Sequence, residues 1–363
     1  MKVLHIISSL KVGGAESLLV QLVPGLKDQG VDNYVLYFHE GPNSERLEKA
    51  GIPVYNVCGK FWRYSPLFFI KVFWLIKKIR PTHIHSHLWL ATVIANLYGD
   101  VLGIPVATTI HLISTGEKSG TVSRFRYWVD KFVLRLSRQF VLVSQSMEAE
   151  FKELYSFVPA KKISVIQNGI DVNLVRKLGF DGAANQQLKK NKRFVFGSVG
   201  RLIERKNFGA LIKAFSLVAQ EVGNCELLIV GNGPEKEKLL KLISNLSLGD
   251  RVQIISDSSA YKYYTLLDCY VSLSHEEGLS IAMLEAMSFD LPIILQSENN
   301  CDITVVNNLN GFLVREEKEA VLAMKQLAKD FKIAKQFGLA SGELVREKFS
   351  LQRVVSSYKN IYQ

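Results

Sequence analysis

Residues 271–292, with the sequence VSLSHEEGLSIAMLEAMSFDLP, decide the fold. An apolar run at 267–273 predicts a buried strand, and IAMLEAM after Ser280 predicts a helix that Ser280 caps. Glu277 is then expected in the turn between them, and Glu285, eight positions later, is expected inside the helix, about 7 to 8 Å along its axis from Ser280. The stretch therefore predicts two carboxylates that flank one helix N-terminus.

Carboxylates placed in this way suit a particular kind of ligand. Free backbone N–H groups at 278–281 attract phosphate, and carboxylates accept hydrogen bonds from hydroxyl groups. A molecule with hydroxyl groups at both ends and an anionic middle, such as a nucleotide-sugar, has the matching shape. An ordinary helix whose glutamates face water has the same spacing. The other motifs must therefore decide between a ligand site and such a helix.

The length of 363 residues favours two domains that each bury a core. No window approaches eighteen consecutive apolar residues, and the start MKVLHIISSL runs into GGAES, which indicates a first strand and a cytoplasmic protein. The cysteines are scattered without a close pair, which favours reduced thiols over disulfides or a metal site. They are Cys58, Cys225, Cys269 and Cys301.

The net charge of +11 lies almost entirely in the first half of the chain. Residues 1–190 hold 24 Lys and Arg against 14 Asp and Glu, whereas residues 191–363 hold 21 against 20. This asymmetry points to an anionic partner of the first half, either membrane lipid or nucleic acid.

Strand-like and helix-like segments alternate twice along the chain, which predicts an α/β fold with two doubly wound, Rossmann-like domains. The first series of strands is KVLHIISS, NYVLYF, PVYNV, THIHSH, VATTIH and QFVLVS, and the second is FVFGSVGR, CELLIVG, RVQIIS, CYVSLS, PIILQ and GFLV. The two domains are expected to face each other across a cleft, where such sheets bind ligands. The predicted ranges are 1–170 for the first domain, 171–192 for a linker, 193–348 for the second domain and 349–363 for a helix that returns to the first domain.

Two stretches of the first half combine aromatic and basic residues, at 59–81 and 118–138. An interfacial membrane helix has this composition, and so does a helix that covers the sheet. Because there are two such stretches in one domain, we expect a peripheral contact with an anionic membrane. The apolar surface is predicted to include Phe61, Trp62, Phe68, Phe69, Phe73 and Trp74.

Polar candidates in the first half follow strands. Gly13 and Gly14 open the first helix and let its backbone approach a phosphate, although the spacing is not that of a dinucleotide site. The histidines of THIHSH share one strand face in a spacing that suits zinc, but no carboxylate or cysteine stands near them, so we expect no metal. His111 ends the strand VATTI, where α/β proteins collect the polar groups of their sites.

Basic residues of the second half also lie after predicted strands. Arg201 follows a strand, and Lys206 lies just before the next helix, so the two can neutralise a diphosphate without a metal ion. The metal-binding motif Asp-x-Asp is absent from the sequence, which favours these cations. Gly231 and Gly233 form a strand-end turn that is placed either beside a nucleotide base or at an ordinary corner.

Taken in order, these segments resemble the retaining glycosyltransferases of family 4, which have the GT-B fold. The resemblance covers nearly the whole chain, and its most specific part is the E-x7-E element. Its segments are GGAE, TIH at 109–111, NGID at 168–171, GRL with Lys206 and Asn207, VGNGP, EEGLSIAMLEAM and NGFLV at 310–314.

The resemblance implies a role for each matching residue. Glu277 contacts hydroxyls of the donor sugar, Glu285 holds the ribose, and His111 lies at the sugar. The diphosphate is bound by the amides of Gly278, Leu279 and Ser280 together with Arg201 and Lys206, and it is approached by Gly13 and Gly14. Gly233 is assigned to donor binding as well. No cofactor or metal is expected.

The chain departs from the family pattern beyond the E-x7-E helix. A turn that usually contains glycine reads Phe289, Asp290, Leu291 here, and aspartate tolerates the left-handed backbone that such a turn needs. Leu279 and Ser280 replace the more frequent Phe and Gly, and the segment QSENNCDITVV lacks the usual paired glycines.

The sequence thus predicts a cytoplasmic, peripheral membrane glycosyltransferase of the hexosyltransferase type. It is expected to move sugar from a nucleotide-sugar, with UDP favoured over GDP, to a lipid-linked or saccharide acceptor in polysaccharide or glycolipid biosynthesis. A nucleotide-sugar epimerase of the same architecture is the first alternative. A basic nucleic-acid-binding protein is a distant one, because no RNA or DNA module is recognised.

Overall fold

The computed structural model describes residues 1–11, 13–57, 65–111, 120–181, 193–257, 260–275, 277, 279–299 and 304–363. The chain divides into two compact units. The first comprises Met1–Asn168 and Leu351–Gln363, and the second comprises Gly169–Ser350.

The first unit contains a parallel sheet of seven strands. They are β1 (Lys2–Ser9), β2 (Asp32–His39), β3 (Val54–Asn56), β4 (His83–His87), β5 (Val106–Ile110), β6 (Gln139–Leu142) and β7 (Ile163–Val165). Their order in the sheet is β3-β2-β1-β4-β5-β6-β7. Six of them coincide with predicted runs, whereas β7 was not predicted because a strand of three residues is too short to show a pattern.

Helices connect these strands. They are α1 (Gly14–Asp28), α2 (Asn43–Lys49), α3 (Pro66–Ile79), α4 (Trp89–Leu102), α5 (Gly120–Val133) and α6 (Ser146–Leu154). The start and end of α3 follow directly from its sequence. The Ser65 hydroxyl accepts a hydrogen bond from the N–H of Phe68 at 3.2 Å, Pro66 occupies the first turn, and Arg80 ends the helix in a left-handed conformation.

The second unit contains a parallel sheet of six strands in the order β10-β9-β8-β11-β12-β13. They are β8 (Phe194–Val199), β9 (Cys225–Val230), β10 (Val252–Ile255), β11 (Cys269–Ser272), β12 (Ile293–Gln296) and β13 (Gly311–Val314). Its helices are α7 (Val172–Asp181), α8 (Phe208–Glu221), α9 (Lys236–Asn245), α10 (Tyr261–Tyr264), α11 (Ile281–Ser288), α12 (Glu317–Lys329) and α13 (Phe331–Lys348). All six strands coincide with predicted runs.

The segment 171–192, predicted as a linker, begins with the ordered helix α7. Val175 of this helix is buried in the core of the second unit, and Gly179 packs closely against the Phe289 ring. Residues 182–192 lie outside the described residues.

The last helix, α14 (Leu351–Ile361), belongs to the first unit. Its residues Val354, Val355 and Tyr358 share a buried cluster with Val3 and Leu22. None of the helices in the described ranges is long and apolar enough to cross a membrane.

Both sheets reverse their strand order at a central strand. In the first unit β1 pairs with β2 on one side and β4 on the other, and in the second β8 pairs with β9 and β11. Because all strands are parallel, the loops after such neighbouring strands emerge at the same edge of the sheet. The polar candidates of each unit come from these loops and strand ends.

Candidate functional site

The loops after β8 and β11 bring Lys206 and Glu277 together in the second unit. The two loops are joined by a hydrogen bond from the N–H of His275 to the carbonyl of Arg205 at 3.0 Å. Lys206 Nζ donates to Glu277 Oε1, and the exposed fractions of the two side chains are only 13% and 14%. The pair is therefore largely shielded from water, which strengthens the attraction between its charges.

Glu285 lies on α11, a helix whose side chains are almost all buried. The hydroxyl of Tyr264, on α10, donates to Glu285 Oε2 at 2.7 Å. Burial and the adjacent Glu285 charge raise the pKa of Tyr264 well above its usual value, so this phenol remains a donor. Tyr264 therefore supports the carboxylate that the sequence assigns to the ribose.

Tyr270, in β11, is a second tyrosine next to both glutamates. Its pKa is raised first by burial and then by the negative charges of Glu277 and Glu285. Tyr264 and Tyr270 were not predicted as site residues from the sequence, where both lie in the tyrosine-rich run YKYYTLLDCY at 261–270. The only available signal was the position of this run directly before the acidic turn.

The N-terminus of α11 begins at the predicted place, but its cap differs from the prediction. Ser280 occupies the N-cap position, and its side chain makes no capping hydrogen bond. Its hydroxyl instead interacts with the Tyr270 hydroxyl. Because the first N–H groups of a helix have no acceptor within the helix, those of α11 can bind an anion. Leu279 and Ser280 are buried there, and Gly278 lies outside the described residues.

Arg201 and Gly233 are placed by the loops after β8 and β9. Arg201 lies two positions after the end of β8 and is exposed. A Cβ at Gly233 would lie 2.3 Å from the carbonyl oxygen of Leu202, and one at Gly231 would lie 1.9 Å from that of Gly200. Packing of the two loops thus explains both glycines, and the assignment of Gly233 to donor binding stays a prediction.

Gly13 and Gly14 form the N-terminus of α1 in the first unit. Gly13 has an extended backbone, and a Cβ there would lie 2.4 Å from Glu16 Oε2, because the Glu16 side chain folds back over it. Ser9 Oγ donates to Glu16 Oε1 at 2.5 Å. Around Gly14, the described residues leave open space within 4 Å of an added Cβ.

His111 follows β5 in the first unit and is half-buried. Its Nε2 lies 3.3 Å from Nδ1 of His87, and burial lowers its pKa to about 4, so the ring is neutral at pH 7. Nitrogen atoms of His5, His85 and His87 lie within 4.8 Å of one another, a distance that suits a metal ion.

The predicted site residues thus form two groups, one in each unit. Lys206, Glu277, Leu279, Ser280 and Glu285 come together around α11 in the second unit. The first unit holds Gly13 and Gly14 at one helix N-terminus and His111 at a strand end.

Two family models match consecutive parts of the chain. The model described as Glycosyltransferase Family 4 matches residues 12–174, and the model described as Glycosyl transferases group 1 matches residues 181–341. The chain belongs to the family 4, group 1 glycosyltransferases. It is therefore an enzyme that transfers sugar, and the family predicted from the sequence is confirmed.

Named relatives agree with this assignment over most of the chain. The alpha-monoglucosyldiacylglycerol synthase of Acholeplasma laidlawii is 23% identical over 349 residues, which cover 85% of this chain and 83% of the relative. The UDP-Gal:alpha-D-GlcNAc-diphosphoundecaprenol alpha-1,3-galactosyltransferase of Escherichia coli is 25% identical over 328 residues, with coverages of 86% and 84%.

Solved structures share the fold of this glycosyltransferase. HepE of Anabaena, crystallised with UDP and glucose, has a TM-score of 0.82 and 22% sequence identity, and 99% of each chain is covered. The two parallel-sheet units are accordingly the two domains of a GT-B fold, as the sequence predicts.

The contact between Tyr264 and Glu285 gives a first testable prediction. Tyr264→Phe removes the donor to a buried carboxylate, so we expect the free energy of unfolding of the second unit to fall by about 1 to 3 kcal/mol. Chemical denaturation followed by intrinsic fluorescence measures the change. In the matched control Tyr263→Phe, the lost partner is Asp257, whose side chain is 25% exposed and can be hydrated instead. Equal losses in both variants would contradict a special role for Tyr264.

Proposed function

We propose that this enzyme is a retaining, metal-independent hexosyltransferase that uses a UDP-sugar and a lipid-linked or saccharide acceptor in surface polysaccharide or glycolipid biosynthesis. The observation that carries the proposal is the shielded Lys206–Glu277 ion pair in a unit where α11 also carries Glu285. This arrangement offers positive charge to a diphosphate and carboxylates to hydroxyl groups. The names of the two relatives support a lipid-bearing acceptor.

In the proposed donor complex the diphosphate competes with Glu277 for Lys206. The N–H groups at the start of α11, Arg201 and Lys206 bind the phosphate oxygens, since each of them donates hydrogen bonds to anions. Glu277 is then released from part of its ion pair, and its oxygens accept hydrogen bonds from sugar hydroxyls. Glu285, supported by Tyr264, accepts from the ribose.

The chemical step explains why cations are needed at the diphosphate. As the bond between sugar and phosphate breaks, negative charge grows on the leaving UDP. Lys206 and Arg201 therefore interact more strongly with the transition state than with the bound donor, which is the condition for catalysis. In a retaining transfer the departing phosphate oxygen also accepts the proton of the acceptor hydroxyl. Gly13, Gly14 and His111 keep the roles that the family resemblance implies.

Substitutions in the ion pair test the proposal. Lys206→Met keeps most of the length of the side chain but removes its charge, so we expect kcat to fall at least about 100-fold, as for the loss of other transition-state donors. Glu277→Gln keeps the shape but accepts fewer hydrogen bonds from the sugar, and we expect a similar loss in kcat/KM. Initial rates of nucleoside diphosphate release with a panel of UDP- and GDP-sugars measure both effects.

A second ion pair of the same unit provides the matched control. Lys325 pairs with Glu221 on the helices α12 and α8, and Glu221 is mostly exposed. Lys325→Met should leave kcat within about twofold, because this pair joins two helices and takes no part in the proposed donor site. Wild-type rates in Lys206→Met, or an equal loss in Lys325→Met, would refute the assignment of Lys206.

Stereochemistry and metal dependence form a separate prediction. An α-linked UDP-sugar should give an α-linked product, which the anomeric proton coupling in an NMR spectrum reports directly. Activity should also survive EDTA, because Arg201 and Lys206 supply the charge that a metal would otherwise supply. A β-linked product would overturn retention, and a loss of activity that Mg²⁺ or Mn²⁺ restores would overturn metal independence. Conversion of the UDP-sugar into its epimer without transfer would favour the epimerase alternative.

The membrane part of the proposal rests on helices α3 and α5 of the first unit. Trp74 and Trp128 are 63% and 66% exposed, and each lies beside a lysine ammonium group, Lys77 and Lys131. Further exposed apolar side chains lie on α3, α5 and also α4: Leu67, Phe69, Ile70, Leu97, Val101 and Phe132. Apolar rings among cations suit the interface of an anionic membrane.

Some of the aromatic residues predicted for this surface lie elsewhere. Phe68 is buried in the core of the first unit and Phe73 is half-buried against Tyr98, so the prediction is wrong for Phe68 because its side of α3 faces the sheet. Phe61 and Trp62 lie outside the described residues.

Flotation with liposomes tests the membrane contact. We expect the protein to float with vesicles that contain phosphatidylglycerol at low salt, and less so at high salt, which screens the charges. The double variant Trp74→Glu, Trp128→Glu should lose flotation, whereas the control Leu322→Glu, at an exposed leucine of the second unit, should retain it. No flotation of the wild type at low salt would contradict the proposal.

A further inference from the structure

Three imidazole rings and one amide form a continuous line of polar contacts in the first unit. Asn33 Oδ1 lies 3.2 Å from His5 Nε2, and His5 Nδ1 lies 3.5 Å from His87 Nε2. His87 Nδ1 in turn lies 3.3 Å from His111 Nε2. Asn33, His5 and His87 are buried, so the contacts replace solvent as hydrogen-bonding partners.

The direction of the hydrogen bonds is fixed at Asn33. Its Nδ2 donates to the carbonyl oxygen of Val31 at 2.8 Å, which turns Oδ1 toward His5. Because an amide oxygen can only accept, His5 Nε2 must carry a proton. Burial lowers the pKa of His5 to about 4, so the ring is neutral and its Nδ1 is an acceptor.

The direction of hydrogen-bond donation continues from His5 through His87 to His111. If His87 Nε2 were unprotonated, two lone pairs would face each other 3.5 Å apart in a buried environment, at a cost in free energy. His87 Nε2 therefore donates to His5, and the neutral His87 ring presents Nδ1 as an acceptor. Burial is also the first cause that lowers the pKa of His87 well below its usual value. His111 completes the line by donating from Nε2.

We propose that Asn33, His5 and His87 are positioning residues that hold His111 as the Nε2–H tautomer, with the lone pair on Nδ1 available to accept a hydrogen bond. The use of this lone pair for a donor-sugar hydroxyl rests on the proposed function. A neutral acceptor suits that place, because positive charge develops on the sugar ring during transfer and an imidazolium would repel it.

His85, a further buried histidine of this region, is not part of the line of hydrogen bonds from Asn33 to His111. Its nitrogens lie next to two hydroxyls, with Thr109 Oγ1 at 2.7 Å from Nε2 and the Tyr362 hydroxyl beside Nδ1. A hydroxyl both donates and accepts, so neither partner fixes the tautomer of His85. With both nitrogens engaged there and His5 Nε2 engaged by Asn33, a metal ion would have to break existing hydrogen bonds to gain three histidine ligands.

NMR spectroscopy of the full-length chain labelled with ¹⁵N-histidine tests the tautomer directly. At pH 7 we expect His111 to show an unprotonated Nδ1 and a protonated Nε2, with its signals identified by their loss in His111→Gln. A protonated Nδ1, or averaged shifts of both nitrogens, would overturn the proposal. Stoichiometric zinc in the purified protein, with histidine signals that shift on chelation, would overturn it in favour of a metal site.

Two variants separate positioning from simple structural support. Asn33→Leu removes the anchoring acceptor, so His111 should show averaged tautomers and kcat should fall by about tenfold or more. Thr109→Val removes a buried hydroxyl beside His85 and should leave the tautomer of His111 and kcat unchanged.

Two results of this series would refute the proposal. One is an equal loss of kcat in Asn33→Leu and Thr109→Val, and the other is an undiminished effect of Asn33→Leu in a His111→Gln background. If no nucleotide-sugar is a substrate, the proposed function fails, and the NMR measurement still decides the tautomer by itself.

Discussion

The parallel pairing of β8 with β11 is the constraint on which the site of the second unit depends. Lys206 and Glu277 are 71 positions apart in the sequence, yet their loops leave adjacent strands at the same edge. Gly231 lets the loop after β9 approach Gly200, and the backbone bond between His275 and Arg205 locks the loop after β11 to the loop after β8. The position of the ion pair thus follows from backbone packing before any side chain is considered.

Electrostatics then decides what this position can do. A shielded ion pair adds little to stability, since the loss of hydration of both ions offsets their attraction. It does hold a lysine and a carboxylate in defined places, and in the proposed donor complex the diphosphate would meet an ordered cation rather than a mobile one. Tyr270 contributes to the same environment without adding charge, because its raised pKa keeps the phenol neutral beside Glu277 and Glu285.

The sequence predicted the parts of this structure that depend on local pattern. All strands of the second unit and the start of α11 follow from apolar runs and turn residues, and Asp290 has the left-handed backbone (φ 56°) that its turn was predicted to need. The altered turn is further held by ion pairs from the Asp290 carboxylate to Arg176 and Arg346. Contacts across the fold escaped prediction, since nothing local to Tyr264 indicates that it will meet Glu285, and nothing in α3 alone shows that Phe68 faces inward.

The roles of the histidines in the first unit also depend on contacts that the local sequence does not reveal. Alternation in THIHSH correctly places His85 and His87 in one strand, but their roles depend on residues from three other strands and from the C-terminus. His85 and His87 look equivalent in sequence but differ in the structure. Asn33 fixes the direction of the line of hydrogen bonds that includes His87, whereas the hydroxyl partners of His85 leave its tautomer undetermined. Burial, together with the neighbouring histidines, lowers the pKa of both rings and keeps them neutral. Only the identity of the partner atom then decides which ring nitrogen donates and which accepts. In the second unit the partner of Glu277 is instead a cation, so a carboxylate and an ammonium group face each other there rather than two imidazole rings.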